Sequence, residues 1–311
     1  MKKFKKRVLL ILGGNSKERD VSLDTGKACY LALKKLGFHV TKFDPQKKYF
    51  NLIDFTKVDL IFNALHGKEG EDGIAQSYFE YLRIPYTHSG VVSSMNAMDK
   101  IISKEIFKKN KIKTPQYFFI SNKDYSEKKI KTLIKKKNFI FPIVIKPVNE
   151  GSSIGVKICK NLRELLQNTN KLIKRYERLI FEKYIGGQEI QVAVMNSQPL
   201  GAIELKPKRN FYDYKAKYTK SAKTQHIMPA NISKKKYNEV LSIAKKTHKI
   251  MNCRGVTRSD FKFFKNMFYL LEINTQPGMT NLSLVPEIAR YNNITFTQLI
   301  KKIILDADIN K

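Results

Sequence analysis

Residues 7 to 14 read Arg7-Val8-Leu9-Leu10-Ile11-Leu12-Gly13-Gly14, an apolar run closed by two glycines. A strand with no polar face is buried on both sides, which is the habit of a parallel sheet covered by helices. The residues that follow agree. From Val21 onward Leu23, Ala28, Leu31, Ala32 and Leu36 recur at helical spacing, and Gly37 closes the segment. Residues 38–43 and 58–65 supply two more strands, the second ending at His66-Gly67, and residues 74–82 another helix. Such alternation predicts an N-terminal α/β domain built on a parallel sheet.

Further along, a helix around 95–109 carries Met98, Ile101, Ile102 and Ile106, and Pro115 opens an extended segment. The first lobe boundary falls here. Residues 142–147, 156–159 and 179–184 read as strands and 162–173 as a helix. Residues 188–203 alternate like an antiparallel pair around Asn196-Ser197-Gln198-Pro199. The segment 206–226 is polar, rich in Lys and Tyr and without period, and loops of that length are functional or disordered. A helix at 234–251 and strands at 256–263 and 267–273, joined by Phe264-Lys265-Asn266, complete the pattern. There is no internal repeat and no low-complexity linker. The division expected is 1–96, an α/β domain, then 97–186 and 187–311, two lobes of an α+β module, with a lid loop at 206–226.

Composition bounds the function. The chain has 311 residues, enough for two or three lobes, and its 42% hydrophobic content with 19 Phe and 15 Tyr excludes a wholly disordered protein. No apolar run approaches the roughly 18–20 residues that span a bilayer. The basic opening Met1-Lys2-Lys3-Phe4-Lys5-Lys6-Arg7 leads into too short an apolar stretch for a signal peptide, so a cytoplasmic protein without a membrane partner is expected. Cys29, Cys159 and Cys253 are scattered, unlike a disulfide framework or a zinc site. The net charge of +32 would suit a polyanion, and a basic nucleic-acid-binding protein is the alternative from another class. Yet the lysines spread along the whole chain beside abundant Ile and Asn, which reads as residue usage rather than a binding patch.

Two stretches carry chemistry. Val144-Ile145-Lys146-Pro147-Val148-Asn149-Glu150-Gly151-Ser152-Ser153-Ile154-Gly155-Val156 sets a lysine on a strand before a small-residue turn, where backbone N–H groups can approach phosphate oxygens. It is no Walker loop, since Gly-Lys-[Ser/Thr] is absent and a strand follows; a purely structural hairpin stays open. In Val256-Thr257-Arg258-Ser259-Asp260-Phe261 and Leu271-Glu272-Ile273-Asn274, alternate residues share a face, so Arg258 lies beside Asp260 and Glu272 beside Asn274. Paired strands would converge two carboxylates, an amide oxygen and a guanidinium, a donor set that suits Mg²⁺ completed by water and phosphate. A surface Arg258–Asp260 salt bridge is the alternative, although the apolar neighbours Val256, Phe261, Leu271 and Ile273 argue for buried charges that need partners.

Other short stretches stand in a definite order. Leu12-Gly13-Gly14-Asn15-Ser16-Lys17-Glu18-Arg19-Asp20-Val21-Ser22-Leu23 comes first, then Ala64-Leu65-His66-Gly67 with Gly70-Glu71-Asp72-Gly73, then Met98-Asp99-Lys100. Glu150-Gly151-Ser152-Ser153, Phe211-Tyr212-Asp213-Tyr214 and Asn274-Thr275-Gln276-Pro277-Gly278-Met279-Thr280 complete the series. Over nearly the whole chain they resemble the D-alanine:D-alanine ligases, a branch of the ATP-grasp superfamily. The resemblance implies an N-terminal parallel-sheet (pre-ATP-grasp) domain followed by a two-lobed ATP-grasp module. It also implies ATP-dependent joining of two D-alanines through a D-alanyl phosphate, for peptidoglycan precursors, by a homodimer. Another ATP-grasp carboxylate–amine ligase is the nearest rival.

By the same resemblance Lys100 and Lys146 contact ATP phosphates under the loop that carries Glu150 and Ser153. Glu182, Lys183 and Ile185 form the adenine hinge, and Glu189 takes the ribose. Two Mg²⁺ ions, replaceable by Mn²⁺, lie on Asp260, Glu272 and Asn274, with Glu272 bridging. Arg258 and the Gly278 N–H stabilise the oxyanion. Glu18 holds the first D-alanine's ammonium near His66, and Ser283 with Lys217 serves the second substrate or its phosphate neighbourhood. Tyr218, on the lid, matches a tyrosine that bonds Ser152 and Glu18 and favours D-alanine over D-lactate. Read without the resemblance, Glu182 and Glu189 are ordinary solvated carboxylates and His66 a hydrogen-bonded loop histidine. Asn15 and Lys17 in a variable stretch, Lys68-Glu69 in place of small or varied residues, and Gln276 at a tolerant position depart from the family pattern.

Overall fold

The computed structural model describes residues 6–206, 224–280 and 282–309. Strands β1 (Arg7–Ile11), β2 (His39–Phe43) and β3 (Leu60–Asn63) form a parallel sheet in the order β2-β1-β3, crossed over by helix α1 (Arg19–Lys35). The apolar run at the N-terminus explains this sheet, because its side chains alternate between two cores. Val8 and Leu10 face α1 residues Cys29, Ala32 and Leu33, while Leu9 and Ile11 face Phe79, Ile84 and Tyr86.

Helices α2 (Ile74–Tyr81), α3 (Val91–Met98) and α4 (Lys100–Lys109) lead to a second, antiparallel sheet. It is made of β4 (Tyr117–Ser121), β5 (Ile143–Pro147), β6 (Lys157–Cys159) and β7 (Arg178–Lys183), in the order β4-β7-β5-β6. Helices α5 (Glu127–Lys136) and α6 (Leu162–Ile173) cover it through Ile130, Leu165 and Leu172. The single helix expected around 95–109 is two helices. Asp99 breaks it: its backbone is extended, and its carboxylate accepts from the N–H groups of Ile101 and Ile102 at 2.9 and 3.0 Å, which caps α4.

The third sheet, antiparallel, contains β8 (Gln188–Met195), β9 (Gln198–Lys206), β10 (Gln225–Ile227), β11 (Val256–Phe264) and β12 (Met267–Asn274), ordered β10-β9-β8-β11-β12. Helix α7 (Lys234–Ile250) packs on one face against Ile190, Val192 and Val194. Ala193 and Met195, pointing the other way, join the core of the N-terminal sheet. Helices α8 (Leu284–Tyr291) and α9 (Phe296–Leu305) seal that shared core with Ile288, Leu299, Ile300 and Ile303.

The two ends of the 206–226 segment are strand rather than loop. Gln225 pairs with Lys206 and His226 with Leu205, so the chain leaves and re-enters at one sheet edge. Residues 207–223, with Lys217, Tyr218 and the 211–214 motif, lie outside the described residues.

Candidate active site

The convergence of Arg258, Asp260, Glu272 and Asn274 follows from register. Across β11 and β12, Arg258 stands opposite Asn274 and Asp260 opposite Glu272. Arg258 grips Asp260 through two bonds, Nε to Oδ1 at 2.8 Å and Nη2 to Oδ2 at 3.0 Å. Both side chains are largely buried, so this is no surface salt bridge but a charge pair inside the cleft. Asn274 Oδ1 accepts from the Gln276 N–H at 2.8 Å and keeps a second lone pair. No cluster of three or more His, Cys, Asp or Glu suited to a metal occurs among the described residues. The hard-oxygen set of Asp260, Glu272 and Asn274 is chemically suited to Mg²⁺, leaving positions for water and phosphate oxygens.

This strand pair lies between two clefts. The first, of about 860 Å³, is lined by Glu18, His66, Ser152, Arg258, Gly278 and Ser283 among others, the second, of about 890 Å³, by Lys146, Ser153, Glu182, Lys183, Ile185 and Glu189. Lys100, Glu150 and Glu272 line both. Lys100 Nζ bonds the Glu150 carbonyl at 2.6 Å and stands 3.7 Å from Glu272 Oε2. The clefts therefore meet at one lysine and two glutamates, where a group can pass from a molecule in one to a molecule in the other.

The loop after β5 forms the wall at that junction. Ser152 and Ser153 have φ of 48° and 61°, and the Ile154 N–H closes on the Gly151 carbonyl at 2.9 Å, the pattern of a type I′ turn. Ser152 Oγ hydrogen-bonds Glu18 Oε1. A Cβ on Gly151 would come within 2.7 Å of Glu18 Oε2, so a larger residue there would push that carboxylate aside. Glu150 in turn pairs with Lys17, whose ammonium also bonds the Tyr176 hydroxyl at 3.1 Å.

On the floor of the first cleft His66 is held on both ring nitrogens, by Glu71 Oε1 at 2.7 Å and Thr25 Oγ1 at 3.1 Å. It is thus both a hydrogen-bonded histidine and a cleft-lining one. Ser283 Oγ accepts from the Thr280 N–H at 2.9 Å, which ties it to the turn carrying Gly278.

In the second cleft Glu182 is 3% exposed, not solvated. Lys146 Nζ lies 3.0 Å from its Oε2 and Lys104 Nζ 2.8 Å from its Oε1. Burial alone would raise the Glu182 pKa, but the two ammoniums outweigh it and hold the carboxyl low. Burial likewise works against the Lys146 ammonium, yet Glu182, Glu272 and Asp260 raise its pKa. Glu189 pairs with Lys262 at 3.1 Å and is also largely shielded. The Lys183 N–H is taken by the Gln116 carbonyl at 2.9 Å, which fixes the backbone at the cleft's edge. Among the described residues four lysines face five carboxylates around this cleft, so the net charge of +32 is not concentrated in that part of it.

A family model described as "D-ala D-ala ligase C-terminus" matches residues 106–305. The D-alanine–D-alanine ligase of Pelagibacter ubique (strain HTCC1062) is 53% identical over 306 residues, covering 98% of this chain and 99% of its own. The chain belongs to the D-alanine–D-alanine ligase family. The ligase of Wolbachia pipientis wMel is 41% identical over 303 residues, covering 96% of this chain and 94% of its own. Crystal structures of a D-alanine–D-alanine ligase from Bacillus anthracis share the fold. The one complexed with ATP has a TM-score of 0.83 at 31% identity, covering 97% of this chain and 96% of that one. The other has a TM-score of 0.85 at 32% identity, covering 97% of each.

Several residues that shape the clefts are not marked as functional in the sequence. Lys104, Lys262 and Thr25 sit in no motif that spacing singles out, and Glu71, inside the Gly70-Glu71-Asp72-Gly73 motif, carries no sign there that it holds His66. Gln276, expected at a tolerant position, is buried, and its side-chain amide bonds the Leu65 carbonyl and Asn63 Nδ2. Gln191 on β8, opposite Asp260, lines the first cleft. Its one signal in sequence is its place two residues after Glu189, on the same strand face.

Proposed function

We propose that the chain joins two D-alanines to D-alanyl-D-alanine at the expense of ATP, releasing ADP and phosphate for peptidoglycan precursor synthesis. The observation that carries this is the meeting of two clefts at Lys100, Glu150 and Glu272. A carboxylate accepts an amine poorly because its oxygen leaves badly, so ATP must first convert it to an acyl phosphate. In this reading ATP occupies the second cleft, its adenine against Glu182, Lys183 and Ile185, its ribose at Glu189, its phosphates at Lys100, Lys146 and the loop of Glu150 and Ser153. The first D-alanine lies in the other cleft with its ammonium at Glu18 and its carboxylate toward Glu272.

The amine of the second D-alanine, held near Ser283, attacks the acyl carbon, and phosphate leaves. Arg258 and the Gly278 N–H face the oxyanion that develops, where preorganised donors contribute most. Asp260, Glu272 and Asn274 would hold Mg²⁺, two ions with Mn²⁺ able to substitute, which neutralises phosphoryl charge and keeps the transfer in line. Lys217 and Tyr218, in the lid of 206–226, would complete the second-substrate pocket and exclude water from the acyl phosphate. The lobes 1–96, 97–186 and 187–311 each carry one sheet, which supports that division. A cytoplasmic homodimer fits the resemblance, and the balanced charge of the nucleotide cleft favours an enzyme over a nucleic-acid-binding protein.

Phosphate release from ATP and Mg²⁺ across D- and L-amino acids and D-lactate tests the reading. Release that requires D-alanine is expected, and release indifferent to it contradicts the assignment. Glu272→Gln should lower turnover more than about hundredfold with the thermal midpoint unchanged; retained activity would remove Glu272 from the site.

A further inference from the structure

Lys104 and Lys100 lie one turn apart on α4, and the two ammoniums do different things. Lys100 reaches the junction of the clefts. Lys104 lines neither cleft and is 0% exposed, its Nζ donating to Thr114 Oγ1 at 2.7 Å and lying 2.8 Å from Glu182 Oε1. The other oxygen of Glu182 belongs to Lys146, which does line the nucleotide cleft. One carboxylate thus holds two ammoniums, one lining the cleft, where a turn would bring it to an incoming phosphate, and one walled in behind it. If Lys146 alone served Glu182, that turn would strand a buried carboxylate without a counter-ion, which is strongly disfavoured.

We propose that Lys104 is a positioning residue for nucleotide recognition: it remains on Glu182 Oε1 while Lys146 moves to phosphate, keeping Oε2 ionised and aimed at the amino group of the base. This rests on the reading that places adenine at Glu182. A carboxylate held this way accepts from an exocyclic amine and repels an exocyclic carbonyl, so it selects ATP over inosine triphosphate. Burial, opposed by Glu182 and reinforced by Lys146, brings the Lys104 pKa to about 8, and the ammonium is the main form at neutral pH.

The test is steady-state kinetics with ATP and with inosine triphosphate, on the full chain with D-alanine. Lys104→Gln should lower the preference for ATP in kcat/KM about tenfold, mostly through KM for ATP, with kcat little changed. Thr114→Val, which removes only the hydroxyl that holds Lys104, should lower it about threefold and serves where Lys104→Gln fails to fold. Parental preference in a folded Lys104→Gln enzyme, or in Thr114→Val where that one does not fold, overturns the proposal. Glu182→Gln separates the two levels: if it abolishes the preference while Lys104→Gln retains it, only the role of Lys104 falls. If Glu182→Gln retains the preference, or the parent has none, the adenine reading falls and the proposal with it.

Discussion

His248 shows how burial alone gives one residue a pH-dependent role in stability. It is 1% exposed on α7, its Nδ1 2.9 Å from Thr257 Oγ1, and burial lowers its pKa from 6.5 to about 4 against a weaker pull from Asp306. The unfolded chain takes up the proton first as pH falls. The contribution is therefore complete above the unfolded value of 6.5, declines below it and is gone near 4. The window is worth about 3 kcal/mol, at 1.36 kcal/mol per unit. Denaturant unfolding at neutral and mildly acidic pH should show that loss in the parent and not in His248→Asn; equal losses would contradict it. In the site, the residues legible in sequence were those whose chemistry follows strand alternation, Arg258, Asp260, Glu272 and Asn274. Lys104 was not legible, because a lysine among 59 lysines and arginines announces nothing until its burial against Glu182 is seen.

Among the elements, Asp99 joins two functions. Its carboxylate caps α4 and also binds Arg178 Nη2 at 2.6 Å, fastening the helix that carries Lys100 to the second sheet. Asp99→Ala should cost about 2 kcal/mol, from the cap and the half-buried ion pair together. The thermal midpoint should fall and KM for ATP rise, and a variant unchanged in both would contradict the account. Helical periodicity runs through Asp99 without a break, so sequence spacing merges α3 and α4. Strands and hairpins were easier, because Asn196-Ser197 and Lys265-Asn266 both hold positive φ and mark two-residue turns. Helix α5 goes unread since Ile130, Leu133 and Ile134 are its only apolar residues among charged ones. Helices α8 and α9 lie beyond the last motif whose spacing was interpreted.

For the whole molecule the shared core matters most. Sheet one and sheet three contribute to a single apolar cluster, and α9 closes it from the far end of the chain. The Tyr86 and Asp308 backbones also bridge, tying the residues after α9 to the N-terminal domain. Ile300→Ala should destabilise the protein by about 2–5 kcal/mol in denaturant unfolding, as large-to-small changes in a packed core do. A loss well under 1 kcal/mol would deny α9 that role. Strand and helix patterns give no sign of this long-range closure, because periodicity says which face is buried and not what buries it. The same architecture sets the two clefts side by side with Lys100, Glu150 and Glu272 between them. The most direct measurement is to supply D-alanine labelled with heavy oxygen in its carboxylate and follow the label. An acyl phosphate formed at that junction predicts that one labelled oxygen per turnover appears in inorganic phosphate; unlabelled phosphate alongside dipeptide formation would contradict it.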